Sequence, residues 1–348
     1  MVEQITYPDN VEDTFERLKK KLDRIVPEPE LRIKSEIAYE INRLKKEKDC
    51  IILGHNYMEP ALFHSIPDYV GDSLGLARIA SQTDAHGILF CGVRFMAETA
   101  KIVNPDRLVL LPAEVAGCSL AESITPEEVR NLKKKYPGVP VVTYINTYAE
   151  VKAECDICCT SSNAADIVRQ LDSDTVICIP DEFLAKNVAK ETGKNVIFSN
   201  EDATTDNGDM VVWDGKCEVH EQFTVDDIKN VRKQFPDTLV ISHPECPPEV
   251  VEASDFSGST SKMSGFIQEN EADHYLLLTE CSMSDNIAAE NPDKDMIGLC
   301  SVRCPHMNEI TLEDTLECLR EDKYEITMDE ELRLKAKKSI DRMFEFSN

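Results

Sequence analysis

Short apolar, β-branched runs bounded by turns alternate along most of the chain with stretches of roughly ten to fifteen residues whose apolar positions recur at helical spacing. That alternation predicts βα units with parallel strands. The first 50 residues differ: RLKKKLDRIV and the stretch from Arg32 to Glu47 are charged and helix-prone, separated by Pro27 and Pro29, which interrupt helices.

One block is written three times. Its opening strand is CIILGHNY, then VVTYINT, then LVISHPE. A small-residue turn that opens a helix follows: Gly71-Asp72-Ser73, Thr160-Ser161-Ser162, Gly258-Ser259-Thr260. Next come a buried strand (GILFCGV, TVICIPD, YLLLTE), another helix (FMAETAKIV, EFLAKNVAKETG, NIAAENP) and a last apolar run (RLVLLPA, MVVW, MIGLC). Each block ends on a cysteine: Cys118, Cys217 and Cys304. Seven residues beyond each stands a threonine with an acid three positions later: Thr125 to Glu128, Thr224 to Asp227 and Thr311 to Asp314, the spacing of a capping box.

The expected fold is therefore α/β: three similar three-layer αβα domains with small parallel sheets, arranged with pseudo-threefold symmetry around a central active site. Its expected divisions are an N-terminal helical segment (1–36), unit 1 (37–118, packed with 323–348), unit 2 (119–217) and unit 3 (218–304). The remainder, 305–348, is expected to run helix, strand, helix back to unit 1. His55, Tyr144 with Asn146, and His243 with Glu245 end the corresponding first strands, so one face of every unit presents polar chemistry. NEDATTDNGDM reads as a surface insertion between units 2 and 3. FMAETAKIV reads as a core helix in which Glu98 is the residue not to dismiss.

The 348 residues suit two or three domains. Thirty-eight Lys plus Arg against 65 Asp plus Glu leave a net charge of -27, which argues against a phosphate-tracking nucleic-acid surface. The absence of an apolar leader and of any run near the roughly 18 residues that span a bilayer, together with an odd count of 13 cysteines, predicts a cytoplasmic protein without a disulfide framework.

A cysteine is ordinarily a small buried hydrophobe. That reading holds for Cys50, Cys91, Cys178 and Cys281, in or beside strands, and for Cys318 in a helix. Cys155, Cys158 and Cys159 include a C-x-x-C, which hints at metal or redox chemistry but has no counterpart in the other blocks. Cys246, before two prolines, reads as a loop thiol, and Cys300 competes with Cys304. Cys118, Cys217 and Cys304 stand apart because the repeat places them equivalently. Three thiolates on an axis suit either a [4Fe-4S] cluster with one open iron or a zinc ion.

GHNY, GDSLGLA, CGVRFMAETAKI, AGCSLA, TYINT, TSSNA, PDEFLA, C-x-VH, HPEC, GSTS and CPHM follow one another between about residues 50 and 310. In this order they resemble the quinolinate synthases. The resemblance implies a transferase of NAD biosynthesis that condenses iminoaspartate with dihydroxyacetone phosphate to quinolinate, releasing phosphate and water. It further implies a [4Fe-4S] cofactor held by Cys118, Cys217 and Cys304, with Cys300 excluded, and an aspartate-oxidising enzyme upstream that supplies the imine. Substrate contacts carry over to His55, Ser73, Tyr144, Asn146, Ser161, His243, Glu245 and Thr260, and a proton-moving tyrosine to Tyr57. Met58, where glutamine is expected, and CSMSDN after Thr279-Glu280 depart from the family pattern.

The substrates bring two carboxylates and a phosphate into an acidic protein. Ser73, Ser161 and Thr260, at helix-opening turns, are expected to form three anion subsites; the plainer alternative is that they are N-caps. Glu245 is expected to be the general acid/base, with His243 orienting or sharing its proton. Two rivals remain at this level: an iron-sulfur hydro-lyase of another small acid, and a nonenzymatic metal scaffold.

Overall fold

The computed structural model describes residues 4–200, 208–299 and 302–347. Thirteen strands among these residues form three sheets, parallel throughout. The first contains β1 (Cys50–His55), β2 (Tyr69–Gly71), β3 (Gly87–Cys91) and β4 (Leu108–Leu110), in the order β2-β1-β3-β4. The second contains β5 (Val141–Tyr144), β6 (Ile157–Cys159), β7 (Val176–Ile179), β8 (Asn195–Phe198) and β9 (Asp209–Val212), in the order β6-β5-β7-β9-β8. The third contains β10 (Leu239–Ser242), β11 (Phe256–Ser257), β12 (His274–Leu278) and β13 (Asp295–Ile297), in the order β11-β10-β12-β13. The repeat in the sequence is thus a repeat in topology, with β8 an added edge strand in the second sheet.

Each sheet is covered on both faces, as continuous apolar strands require. In β12, Leu276 and Leu278 join one apolar cluster with Val240 and Phe223, while Tyr275 and Leu277 face a second with Ile241 and Met263. The second sheet divides likewise: Val141, Ile177 and Val211 lie on one side, and Val142, Val176, Cys178 and Met210 on the other. The latter side is continuous with the core of the first unit and of the C-terminal helix.

A device repeated in all three units fixes the first strand against its edge partner. Asp68, Asp156 and Asp255 each precede the edge strand and accept a hydrogen bond from the backbone N–H of Ile52, Val141 and Val240, at 2.8, 2.8 and 2.7 Å. The same aspartates donate their own N–H to the carbonyl of that residue. Each also meets a cation from the preceding helix: Lys45 at 3.0 Å, Lys133 at 3.2 Å and Arg232 at 2.7 Å. The first pair is buried, with about 6% of either side chain exposed, and the other two are open to solvent.

Of the three capping boxes predicted beyond the cysteines, two are complete and the third is half formed. Thr125 and Thr224 make both reciprocal bonds with Glu128 and Asp227, and Thr311 accepts from Asp314 N–H. The second N-terminal helix starts at Glu28 rather than Arg32, since proline fits the first turn of a helix: Pro27 is its N-cap and Pro29 lies in its opening turn. The segment read as an insertion is shorter than expected, because Asp209 and Met210 pair with β7 and β8; its centre, 201–207, lies outside the described residues. After the third unit, Leu312–Glu321 packs on Glu28–Glu47, residues 324 to 326 bond to Val109 and Leu111 beside β4, and Glu330–Glu345 packs on Arg94–Val103, Ala149–Lys152 and β6. No described helix is long and apolar enough to cross a membrane.

Candidate functional site

The carboxyl ends of the three sheets converge on one cavity. Its wall includes His55, Tyr57 and Ser73 from the first unit, Tyr144, Asn146 and Ser161 from the second, and His243, Glu245 and Thr260 from the third. Cys118, Cys217 and Cys304 lie on the same wall. The ligand, substrate-contact and proton-moving residues that the resemblance implies are therefore brought to one place.

The local chain explains why. Tyr144 is the last residue of β5, His55 the last of β1, and His243 the first after β10. Ser73 and Thr260 are the first residues of helices Ser73–Gln82 and Thr260–Glu269, whose N-caps are Asp72 and Ser259. Ser161 lies two residues before Asn163, which precedes helix Ala164–Gln170. The three hydroxyls are thus not the caps; the neighbouring residues take that position and leave Ser73, Ser161 and Thr260 on the cavity wall.

The three cysteines share a local geometry. Backbone N–H groups two and three residues ahead approach each sulfur: Leu120 and Ala121 at Cys118, Val219 and His220 at Cys217, His306 and Met307 at Cys304. Burial pushes the Cys118 thiol up to about 12 and Cys304 to about 11, and raises Cys217 as well. Thiols so placed ionise only when a cationic centre compensates. Of the twelve described cysteines, none of them disulfide-bonded, these three are partly accessible and the other nine are buried. Cys158 and Cys159 belong to β6 and Cys155 donates to Val151 carbonyl, so the C-x-x-C is part of the sheet and its flank. Cys246 is packed in the third unit and donates to Leu278 carbonyl at 3.3 Å. Cys300 lies outside the described residues.

Glu245 is the hub of the polar network. Tyr144 donates to its Oε1 at 2.5 Å and His220 Nδ1 lies 2.8 Å from its Oε2. Burial favours the neutral acid, but His220 beside it and the hydrogen bonds from His220 and Tyr144 outweigh it and hold the carboxyl well below its ordinary range. His243 stacks on His220 with ring centroids 4.7 Å apart and places Nε2 at 3.2 Å from Ser161 Oγ. Burial holds His243 down to about 3 and His55 to about 4, so both rings are neutral near pH 7. His220 continues through Nε2 to Thr279 Oγ1 at 3.0 Å, and Thr279 Oγ1 lies 2.5 Å from the Tyr57 hydroxyl. Nδ1 of His220 is also 3.2 Å from Cys217 Sγ.

Sequence reasoning missed His220 as a site residue, although it ends the quoted C-x-VH. The signal was its spacing: a short 3-10 turn after Cys217 carries residue 220 back over the sulfur. Glu98 belongs to the scaffold, where it accepts from Arg94 Nε and Ala149 N–H, each at 2.8 Å. The two departures from the family pattern meet one another: Asn286, the last residue of CSMSDN, donates to the carbonyls of Met58 at 2.8 Å and Asn56 at 3.3 Å. Asn56 in turn donates to Thr260 Oγ1 at 2.8 Å. Met58 is buried in the core and does not line the cavity.

Among the described residues, the cavity wall holds no lysine or arginine, while Asp72, Glu218 and Glu245 are on it. Asn146 Oδ1 is buried there without a partner. A wall of hydroxyls, imidazoles and helix N-termini, with an unmatched acceptor, suits a polar ligand that brings donors of its own.

The family model described as Quinolinate synthetase A protein matches residues 39–345. The "Quinolinate synthase" of Agrobacterium fabrum is 47% identical over 328 residues, covering 94% of this chain and 91% of the relative. That of Xylella fastidiosa is 49% identical over 303 residues, covering 87% and 85%. "Quinolinate synthase 1" of Mesorhizobium japonicum is 47% identical over 326 residues, covering 94% and 96%. With three repeated units, one shared cavity and near-complete coverage by these relatives, the chain belongs to the quinolinate synthetase A family.

Proposed function

We infer that the chain condenses iminoaspartate with dihydroxyacetone phosphate to quinolinate, with release of phosphate and water, as a transferase of NAD biosynthesis. The observation that carries the reading is the set of three partly accessible cysteines, one closing each repeated block, on the wall of a single cavity. That donor set fits a [4Fe-4S] cluster: three thiolates leave one iron open, and N–H donors offset the negative charge of cluster sulfur. Cys118, Cys217 and Cys304 would hold it. When bound, the cluster supplies a Lewis acid that polarises a carbonyl or hydroxyl oxygen and assists loss of hydroxide.

The protein's own groups do the rest. Ser73 and Thr260, at helix starts, and Ser161, in its turn, hydrogen-bond the carboxylates and phosphate. With no lysine or arginine on the described wall, these hydroxyls and the helix dipoles supply the local positive potential that a chain of charge -27 lacks. Asn146 and neutral His55 orient the triose and the imine. Glu245, held anionic, accepts a proton during carbonyl-to-enediol rearrangement and returns it to the departing oxygen. His243, between Ser161 and Glu245, shares that proton, while Tyr144 fixes the carboxylate and Tyr57 serves as a second proton carrier. An aspartate-oxidising enzyme supplies the unstable imine, and the unpaired cysteines suit a reducing cytoplasm.

Anaerobic purification followed by iron and sulfide analysis, then incubation of the holoprotein with freshly generated iminoaspartate and dihydroxyacetone phosphate, tests the reading. About four irons and four sulfides per chain, with quinolinate and phosphate formed together, are expected. Zinc in place of iron, or no quinolinate from the loaded protein, would overturn it.

A further inference from the structure

We propose that Asn163 and Ser347 are positioning residues for Ser161, so that the turn after helix Glu330–Glu345 serves a cavity it does not line. The turn that carries Ser161 is built unlike its two counterparts. In the first and third units the N-caps Asp72 and Ser259 accept hydrogen bonds from their own helices, and Ser259 Oγ donates to Asp72 Oδ2 at 3.0 Å. Asn163, the N-cap of Ala164–Gln170, makes no such side-chain cap. Its Oδ1 turns back instead, accepting from Thr160 N–H at 2.6 Å and from Thr160 Oγ1 at 3.1 Å. Thr160 Oγ1 in turn accepts from Ser162 N–H at 3.2 Å. These bonds close the chain around Ser161, whose Oγ lies 3.2 Å from His243 Nε2 on the cavity wall.

With its oxygen turned to Thr160, the Asn163 amide points Nδ2 the other way and donates to Ser347 Oγ at 2.7 Å. The Ser347 hydroxyl gives its own hydrogen to the Met343 carbonyl at 2.7 Å, which leaves it an acceptor for the amide. Asn163 is only 7% exposed, so removing Ser347 Oγ strands a buried N–H and frees the amide to leave Thr160. The Ser347 carbonyl accepts from Arg78 Nη2 at 2.6 Å, and Arg78 lies on the helix that Ser73 opens. One residue, 184 positions beyond Asn163, therefore joins two of the three hydroxyl-bearing turns. The helix before it is anchored independently, through Ala336, Ile340 and Met343 in the core. The Ser347 hydroxyl is thus spare for holding the helix but not for holding Ser161.

The proposal rests on the reading of Ser161 as a substrate contact in quinolinate formation. Ser347→Ala removes the hydroxyl and Ser347→Thr keeps it. In anaerobically loaded enzyme, Ser347→Ala is expected to lower kcat/KM by about three- to tenfold, the range for stranding one buried hydrogen-bonding group. Ser347→Thr should stay within about twofold of wild type, and both should show the wild-type cluster absorption. In a Ser161→Ala background, Ser347→Ala should cost less than about 1.5-fold, because the group it positions is gone. A residue that merely tethered the helix would lower the thermal midpoint and leave kcat/KM of the folded enzyme unchanged. That pattern, an equal loss in Ser347→Thr, or an undiminished loss in the Ser161→Ala background would each overturn the proposal. Should Ser347→Ala not load or fold, Ser347→Val against Ser347→Thr, nearly equal in shape, makes the same comparison. Wild-type enzyme that forms no quinolinate, or Ser161→Ala with full activity, would instead remove the reading beneath it.

Discussion

Tyr144 donates a 2.5 Å hydrogen bond to Oε1 of Glu245, joining the last residue of a second-unit strand to a loop of the third. The carboxylate receives a hydrogen bond on one oxygen while His220 approaches the other at 2.8 Å, which fixes the face it turns to a substrate. Glu245→Gln keeps the shape but cannot take up a proton. It should leave the cluster spectrum unchanged and abolish measurable turnover; an unaltered kcat would refute the acid/base role. Tyr144→Phe should lower kcat by about ten- to hundredfold, since it strips one charge-assisted hydrogen bond from a buried carboxylate.

The three hydroxyls at the cavity wall make a second test. Because Asp72 and Ser259 carry the capping, Ser73→Ala and Thr260→Ala leave those caps intact. The thermal midpoint of Ser73→Ala should stay within about 2 °C of wild type, whereas Thr260→Ala also takes the acceptor from the buried Asn56 amide and should melt lower. KM should rise or kcat fall by about tenfold or more at each, and likewise for Ser161→Ala. Changes below about twofold at all three sites would remove the anion-subsite assignment.

Cluster retention should separate the cysteines into two groups. Cys118→Ser, Cys217→Ser and Cys304→Ser should each lose most of the iron-sulfur absorption. Cys158→Ser, deep in a sheet, should keep it while lowering stability. Loss of the chromophore in Cys158→Ser with native circular dichroism would contradict the ligand set.

Buried and exposed versions of one ion pair sit at equivalent places in the first and third units. Lys45→Met strands the Asp68 carboxylate where only about 6% of it is exposed and should cost about 3–5 kcal/mol. Arg232→Met leaves Asp255, with 37% exposed, to water and should cost less than about 1 kcal/mol. Denaturant unfolding of both variants measures the contrast, and equal costs would show that burial does not set the value of the pair.

The acid limb of stability follows from histidines kept neutral. Burial, reinforced by Lys21 and Arg17, holds His64 down to about 3 from an ordinary 6.5. Below 6.5 the unfolded chain takes up a proton that the folded one does not, so stability is full above that pH and is lost as pH falls towards 3. One such group contributes about 1.4 kcal/mol per pH unit within the window. His64→Leu, away from the cavity, should flatten the dependence of unfolding free energy between pH 6 and 5 by that amount. An unchanged slope would show that His64 is already charged in the fold.

The repeat made most of this architecture readable. Long apolar strands and the Cys-to-Thr spacing are local patterns, and all three units carry them. What escaped notice depends on distance in space. Strands β2, β6 and β11 are two or three residues long, too short for any periodicity, and exist because Asp68, Asp156 and Asp255 pin them to their neighbours. An aspartate before a short run looks like a turn residue until the chain closes. His220 was visible as a letter in a motif, but its contacts with Glu245 and Thr279 join residues 25 and 59 positions away. The choice of Asp72, Asn163 and Ser259 over their neighbours at the helix starts was likewise decided by backbone geometry at one-residue resolution.

The paired N–H groups at Cys118, Cys217 and Cys304 belong to ordinary short turns closed by the chain itself. Each turn is short and local, so the three sulfurs reach one cavity by the same small piece of chain geometry used three times. Damage to one turn would displace one sulfur and leave the other two in place, so the sites fail one at a time rather than together.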